Sequence, residues 1–218
     1  MSNLLYLLQL VSPSLPVGAY SYSEGIETLV SQNKIRDAAS IQTWIENELT
    51  WGSIRIDTAI MVRSYLKKDL CYWNLWLSAV RETQELKDQS HQMGYSLLRL
   101  IATLEPDLYQ NLLKVLEDNE VNFALIYGAL ATHWHIPIKD AILGYVHSWV
   151  NNLLSAAIKL IPLGQSEGQK ILFSLNSSMV KAVEEILILD GDDLYCNAWG
   201  LSLASMNHTK LYSRLFRS

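Results

Sequence analysis

Apolar residues recur every three or four positions along most of this 218-residue chain, which is the spacing that places them on one face of a helix. The alternating pattern that is typical of strands is scarce. We therefore predict an all-α fold, a single-domain bundle of about eight to ten helices. The predicted helices cover residues 3–11, 38–67 with a boundary at Gly52, 69–81, 84–104, 107–117, 120–135, 138–161, 166–189 and 192–206.

The stretch SPSLPVGAYSYSEGIE, residues 12–27, interrupts the helical pattern near the start of the chain. Its two prolines disfavour helical backbone at the residues before them, and Gly18 permits a turn that other residues resist. Ser21 and Glu24 have the spacing of a capping box, which satisfies free backbone amides at the start of a helix. The sequence therefore predicts a bend between two helices, the second of which begins at Ser21.

The composition narrows the choice of partner. Half of the residues are apolar and only 18% are charged, compared with about 25% in a typical soluble domain, so part of the apolar surface is expected to face another protein. The 17 basic and 22 acidic residues give a net charge of −5. This balance argues against nucleic acid as a partner, because phosphate binding needs an excess of clustered Lys and Arg.

Several features of the sequence favour a cytoplasmic protein. The N-terminus lacks the basic region and cleavage site of a signal peptide. The longest apolar segment, residues 141–161, contains His147, two asparagines and Lys159, so it is predicted as a buried helix and no membrane association is expected. Cys71 and Cys196 lie far apart in apolar surroundings and are predicted to be buried free thiols.

Residues that could carry chemistry are few. The sequence has no phosphate-binding loop, catalytic serine elbow or zinc motif. His133 and His135 could bind one metal ion only on extended backbone, so a helix-end or packing role is favoured. The run Asp190–Asp193 lacks the later ligands of a calcium loop and is predicted to form a turn that caps the next helix. Glu24 and Glu27 share one helix face, where a capping box and a solvated surface are favoured over acid–base chemistry.

Lys159 and the C-terminal tail are candidates for contact with another chain. Lys159 ends an apolar helix, where a cation complements the helix dipole and stays available to a partner. The chain divides into a helical domain, residues 1–206, and a tail, residues 207–218, which mixes bulky apolar side chains with basic ones. Exposure of the apolar side chains to water is unfavourable, so either the core or another chain should bury them.

Three segments together resemble the urease accessory protein F (UreF) family: SPSLPVGAYSYSEGIE at 12–27, AAIKLIPLGQSEGQ at 156–169 and YSRLFRS at 212–218. The segment QMGYSLLRL at 92–100 is also similar to the central helix of that family. The resemblance implies a cytoplasmic, all-helical homodimer with no catalytic activity. Such a protein joins UreD, also called UreH, and the GTPase UreG in a complex that inserts nickel into the urease apoprotein. A further protein, UreE, usually delivers the nickel.

The resemblance also implies roles for particular residues. The tail is expected to become ordered when UreD binds and to help recruit UreG. His208 is a candidate nickel contact, although the tail here reads His-Thr-Lys-Leu-Tyr where the family usually has His-Glu-Thr-Gln-Tyr. No stably bound cofactor is implied, since the complex handles nickel and UreG binds GTP. The residues expected to contact partners are Tyr20, Tyr22, Glu24, Glu27, Lys159, Tyr212, Arg214, Leu215, Phe216 and Arg217.

Two other functions stay open from the residues alone. The first is a small all-α enzyme that uses Glu24, Glu27 or the Asp190–Asp193 run, and it requires a deep pocket that gathers these carboxylates with perturbed pKa values. The second is a direct metal carrier that binds nickel through His133 or His208.

Overall fold

The computed structural model describes residues 3–117, 119–196 and 198–217. Over these residues the chain forms twelve α-helices, two short 3₁₀ turns and no strand, which confirms the predicted all-α class. The 3₁₀ turns cover Ala19–Ser21 and Gly191–Asp193. The helices are α1 (Asn3–Leu10), α2 (Ile26–Ser31), α3 (Ala38–Trp51), α4 (Ser53–Tyr65), α5 (Leu70–Val80), α6 (Gln84–Leu104), α7 (Pro106–Leu116), α8 (Phe123–His133), α9 (Ile138–Leu160), α10 (Gln165–Ser174), α11 (Asn176–Leu187) and α12 (Trp199–His208).

Helices α4, α8 and α9 form the centre of the bundle. Every residue of α8 from Ala124 to Ala131 is buried, and α4 is its main neighbour. The two helices approach closely because Gly128 lies against the backbone of Met61, where any side chain would collide with the carbonyl oxygen. Helix α9 packs on both of them and buries ten of its residues. One continuous apolar core therefore extends through most of the described chain.

The N-terminal segment lies on α9. Gly144 of α9 leaves room for the side chains of Leu7 and Val11. Beside this contact the ring of Tyr145 packs edge-on against Tyr127, with 5.0 Å between the ring centroids. The 3₁₀ turn Ala19–Ser21 within the 12–27 bend also packs on α9.

Several sequence predictions about turns and boundaries are confirmed. Gly52 separates α3 from α4, and α6 covers the predicted range 84–104. Gly18 has a φ of 79°, which accounts for the bend. Both cysteines are free thiols, but they are only partly buried. Within the described ranges, no helix has the length and apolar character needed to span a membrane.

Two of the predicted helices are wrong in their extent. The segment 166–189 is two helices, α10 and α11, separated at the fully buried Leu175, and both of them pack on α9. The last helix begins at Trp199 and not at residue 192, because residues 191–193 form a 3₁₀ turn.

The predicted capping box at Ser21 and Glu24 is also wrong. Helix α2 follows Gly25, which has a φ of 78° and no side chain to cap the helix, and Ser23 Oγ accepts from the backbone amide of Glu27 at 3.4 Å. Gly25 packs against α12, where an added Cβ would lie 2.9 Å from the Cβ of Ala204. The side chain of Glu24 bonds to groups on α6 and α9 and not to the amides of α2. A contact between distant helices therefore overrides the local capping pattern.

The close approach of α4 and α8 predicts that Gly128→Ala destabilises the fold. The new methyl group would force the two backbones apart, at a cost of about 1–3 kcal/mol in the free energy of unfolding. Urea denaturation followed by circular dichroism measures this change. Gly164→Ala is the matched control, because a Cβ there meets no atom within 4 Å, and equal stability of the two variants would contradict the prediction.

Candidate partner-binding site

The 12–27 bend is held by hydrogen bonds from α9 and from the tail. Asn152 Nδ2 donates to the carbonyl oxygen of Tyr22 at 3.2 Å, and the backbone amide of Arg217 donates to that of Ser21 at 2.8 Å. The ring of Tyr22 is buried in the core, whereas Tyr20 is exposed. Of the two tyrosines in the bend that are expected to contact a partner, Tyr20 is thus the accessible one in this subunit.

Glu24 points away from solvent, toward α6 and α9. Its two carboxylate oxygens accept hydrogen bonds from Gln89 Nε2 and Trp149 Nε1, each at 2.7 Å. Burial raises the pKa of Glu24 above its usual range, the two hydrogen bonds oppose this increase, and the nearby carboxylate of Asp57 adds to it. Glu24 therefore belongs to a buried polar network and not to a solvated helix face.

Next to Glu24 lies a buried ion pair between Asp57 of α4 and Arg81, which the sequence analysis missed. Arg81 Nη1 donates to Asp57 Oδ2 at 3.0 Å, and Arg81 Nη2 donates to Ser90 Oγ at 3.0 Å. Burial raises the pKa of Asp57, and the charge of Arg81 opposes the increase. No local pattern signals this pair, because the two residues lie on different elements and each sits among ordinary polar neighbours in the sequence.

Glu27 holds the tail against the start of α2. Its Oε2 is 2.7 Å from His208 Nε2, and its carboxylate accepts hydrogen bonds from the backbone amides of Leu215 at 2.6 Å and Phe216 at 3.2 Å. Both Glu27 and His208 are buried. We call Glu27, His208 and these two amides the Glu27 clasp. The imidazole of His208 is therefore paired with a carboxylate of its own chain.

The tail brings one aromatic ring to Lys159 and leaves other side chains in solvent. Phe216 is buried against its own subunit, and Lys159 Nζ lies 5.5 Å from the centroid of its ring. Tyr212, Arg214 and Leu215 are exposed beside it. The tail is thus already in contact with the helical domain in the single subunit, through residues 215–217. Any additional ordering by a partner stays a prediction.

The structure does not gather the carboxylates that the enzyme alternative needs. Glu24 lines a cavity, but Glu27 is taken up by the clasp, and Asp190 and Asp193 are exposed at the 3₁₀ turn before α12. Among the described residues, none of these three other carboxylates lines the cavity beside Glu24. The arrangement is not that of an acid–base pair.

The candidate metal ligands are also dispersed. His133 Nε2 lies 3.1 Å from Glu105 Oε2, and Trp134 Nε1 donates to Glu105 Oε1 at 2.7 Å, so this stretch forms a polar cluster at the end of α8. These hydrogen bonds help to lower the pKa of Glu105. In the parts of the chain that the structure describes, no three His, Cys, Asp or Glu side chains converge on a point where a metal ion could bind.

Comparisons with known proteins show which family this chain belongs to. The UreF family model matches residues 35–176. A protein of Nostoc sp. named "Urease accessory protein UreF" is 49% identical over 222 residues, covering 99% of this chain and 96% of the relative. Proteins with the same name in Microcystis aeruginosa and Pseudoalteromonas translucida are 50% and 35% identical, and each alignment covers 99% of this chain. This chain belongs to the UreF family. It is an accessory protein and not an enzyme, in keeping with the names of its UreF relatives.

The UreF relatives extend the match beyond the family model. The 12–27 bend and the tail both lie outside residues 35–176, but alignments that cover 99% of the chain include them. The two segments that the Glu27 clasp joins are therefore within the part of the chain that aligns with UreF proteins.

The clasp predicts that Glu27→Gln loosens the tail. A neutral amide accepts more weakly from His208 and from the two backbone amides, so the protein should lose about 1–3 kcal/mol of stability, and the amides of residues 211–217 should exchange faster with deuterium. Hydrogen exchange by mass spectrometry measures this. Glu184→Gln, on an exposed carboxylate, is the control, and unchanged protection of the tail in Glu27→Gln would refute the role of the clasp.

Glu48 of α3 predicts a dependence of stability on pH. Burial raises its pKa to about 8, the carboxylates of Glu24 and Glu82 add to this, and Glu48 Oε2 has no hydrogen-bond partner among the described residues. Because the folded pKa exceeds the ordinary value of 4.5, the folded state prefers the protonated form, and stability falls as pH rises from about 4.5 to about 8.

Glu48→Gln should remove this dependence. At pH 8 the variant should be more stable than the wild type by about 1–3 kcal/mol, and the difference should shrink toward zero at pH 4, where the wild-type carboxyl is protonated in both states. Denaturation midpoints across this pH range measure the effect. A constant difference at all pH values would show that Glu48 is not the titrating group.

Proposed function

We propose that this chain is the non-enzymatic scaffold of a cytoplasmic complex that matures urease. It bridges UreD (UreH) and the GTPase UreG, and the complex inserts nickel into the urease apoprotein with hydrolysis of GTP by UreG. The observation that carries this proposal is membership of the UreF family together with the exposed groups around the tail.

The tail supports the proposal by its chemistry. Arg214, Tyr212, Leu215 and Lys159 are all exposed, so two cations and two apolar side chains are available to a partner. Residues 215–217 are bonded to the domain, so part of the ordering cost of association is already met. The sequence has no phosphate-binding loop, which is consistent with GTP being bound by UreG and not by this chain.

Nickel is the cargo of the proposed complex and not a resident cofactor of this chain. The candidate contact His208 is buried in the Glu27 clasp, which would have to open before the imidazole could meet an ion. We therefore assign the direct handling of nickel to the assembled complex.

Helix α12 supports the proposed homodimer. Trp199, Leu203 and Met206 recur at four and three residues along this helix, and all three are exposed. Such a stripe is typical of a helix that packs against another chain. We propose that a second copy of this chain covers it.

Complex formation is tested with purified partners. Mixed with UreD and UreG, the wild-type chain should elute as one ternary complex in size-exclusion chromatography. Arg214→Ala should reduce the ternary peak at least tenfold and leave the helical circular dichroism unchanged, because Arg214 is exposed. Arg36→Ala is the control on another exposed arginine. Failure of the wild-type chain to elute with folded partners would overturn the proposal.

The dimer is tested separately. Leu203→Arg should convert the protein from dimer to monomer in light scattering, because a charge would be buried in the apolar contact. Phe173→Arg, on an even more exposed apolar residue of α10, should leave the mass unchanged. A dimer that survives Leu203→Arg would place the interface elsewhere.

A further inference from the structure

A cavity of about 170 Å³ lies beneath the 12–27 bend, between the bend, α4, α6 and α9. Apolar side chains line part of it, among them Leu15, Val17 and Met93. We call the charged and polar groups that line it, among them Glu24, Asp57 and Arg81, its floor. The cavity therefore offers both apolar and charged lining, which suits a ligand with an aliphatic body and a polar head.

The floor has hydrogen-bonding capacity that the protein itself does not use. Tyr145 lines the cavity and is more than nine-tenths buried, yet no hydrogen bond of its hydroxyl is found among the described residues. Each carboxylate oxygen of Glu24 accepts one hydrogen bond, from Gln89 or from Trp149, and an ionised carboxylate can accept more. A donor group entering the cavity would thus find unused acceptors.

The charges of the floor indicate which kind of hydrogen-bond donor on a ligand is favoured. Two carboxylates, Glu24 and Asp57, face a single guanidinium, that of Arg81, which is already paired with Asp57. Burial is the largest cause that raises the pKa of Glu24, and the charge of Asp57 adds to it, so a cation beside Glu24 would favour the ionised carboxylate.

We propose that this cavity binds an aliphatic guanidinium or ammonium group, with the cation on Glu24 and its carbon stem along Leu15 and Val17. The ligand is either a free alkyl cation or the side chain of an Arg or Lys residue on another protein, since both carry the same chemistry. The site does not depend on the proposed function, because it rests on the cavity and its charges alone.

The probe for this site is n-butylguanidinium, and the signal is the indole N–H of Trp149. This N–H bonds Glu24, so occupation of the site should shift its resonance in an ¹⁵N correlation spectrum in a saturable manner. Trp149→Phe assigns the resonance. The neutral isostere n-butylurea should bind at least tenfold more weakly, because it lacks the charge that Glu24 attracts.

Two variants test separately the charge of Glu24 and the space within the cavity. Glu24→Gln should weaken binding of butylguanidinium at least tenfold, while Glu184→Gln should not. Ser155→Trp, at the exposed rim of the cavity, should also block binding without changing the charged floor, so the test does not depend on Glu24→Gln folding normally. A peptide with a single central Arg, compared with the same peptide carrying citrulline, distinguishes a protein side chain from a free cation.

Three results would overturn the proposal. Equal affinities for butylguanidinium and butylurea would show that the site does not recognise the positive charge. Preferential binding of pentanoate would make this an anion site, which the unpartnered Nε of Arg81 could create. The absence of a saturable shift with any probe would show that the cavity takes no ligand of this class.

Discussion

Two buried carboxylates at the end of the N-terminal bend connect parts of the chain that are distant in sequence. Glu24 bonds groups on α6 and α9, and three residues later Glu27 bonds the end of α12 and the tail. A carboxylate taken out of water is costly unless donors surround it, so the bend is stable only where those donors are in place. The position of the bend therefore depends on α6, α9, α12 and the tail together.

This dependence explains which parts of the structure could be read from the sequence. The helices α5, α6 and α9 follow from periodicity. The boundary at Gly52, between α3 and α4, and the end of α6 before Pro106 follow from backbone restrictions that act within a few residues. The start of α2 could not be read in this way. Its local pattern favours a capping box, but Gly25 must pass close to Ala204, and the side chain of Glu24 is used elsewhere.

In the candidate site, too, some residues could be predicted from the sequence and others could not. Tyr20, Lys159 and the exposed tail residues stand out in the sequence as large or charged groups in specific segments, and the family resemblance identified those segments. Asp57, Arg81 and Trp149 were missed, because their importance comes from spatial neighbours on separate helices. Burial also gives a different role to two residues that were expected to contact a partner. Tyr22 is a core side chain, and Glu27 accepts hydrogen bonds from the tail of its own chain.

The contact between Gly128 and the backbone of Met61 has a mechanical consequence. Two helices that approach this closely resist sliding past each other, so α4 and α8 are expected to move together. The bend and the tail are attached at the periphery by directional hydrogen bonds together with the buried side chains of Tyr22 and Phe216. A response to association is therefore expected at the periphery, around an unchanging centre.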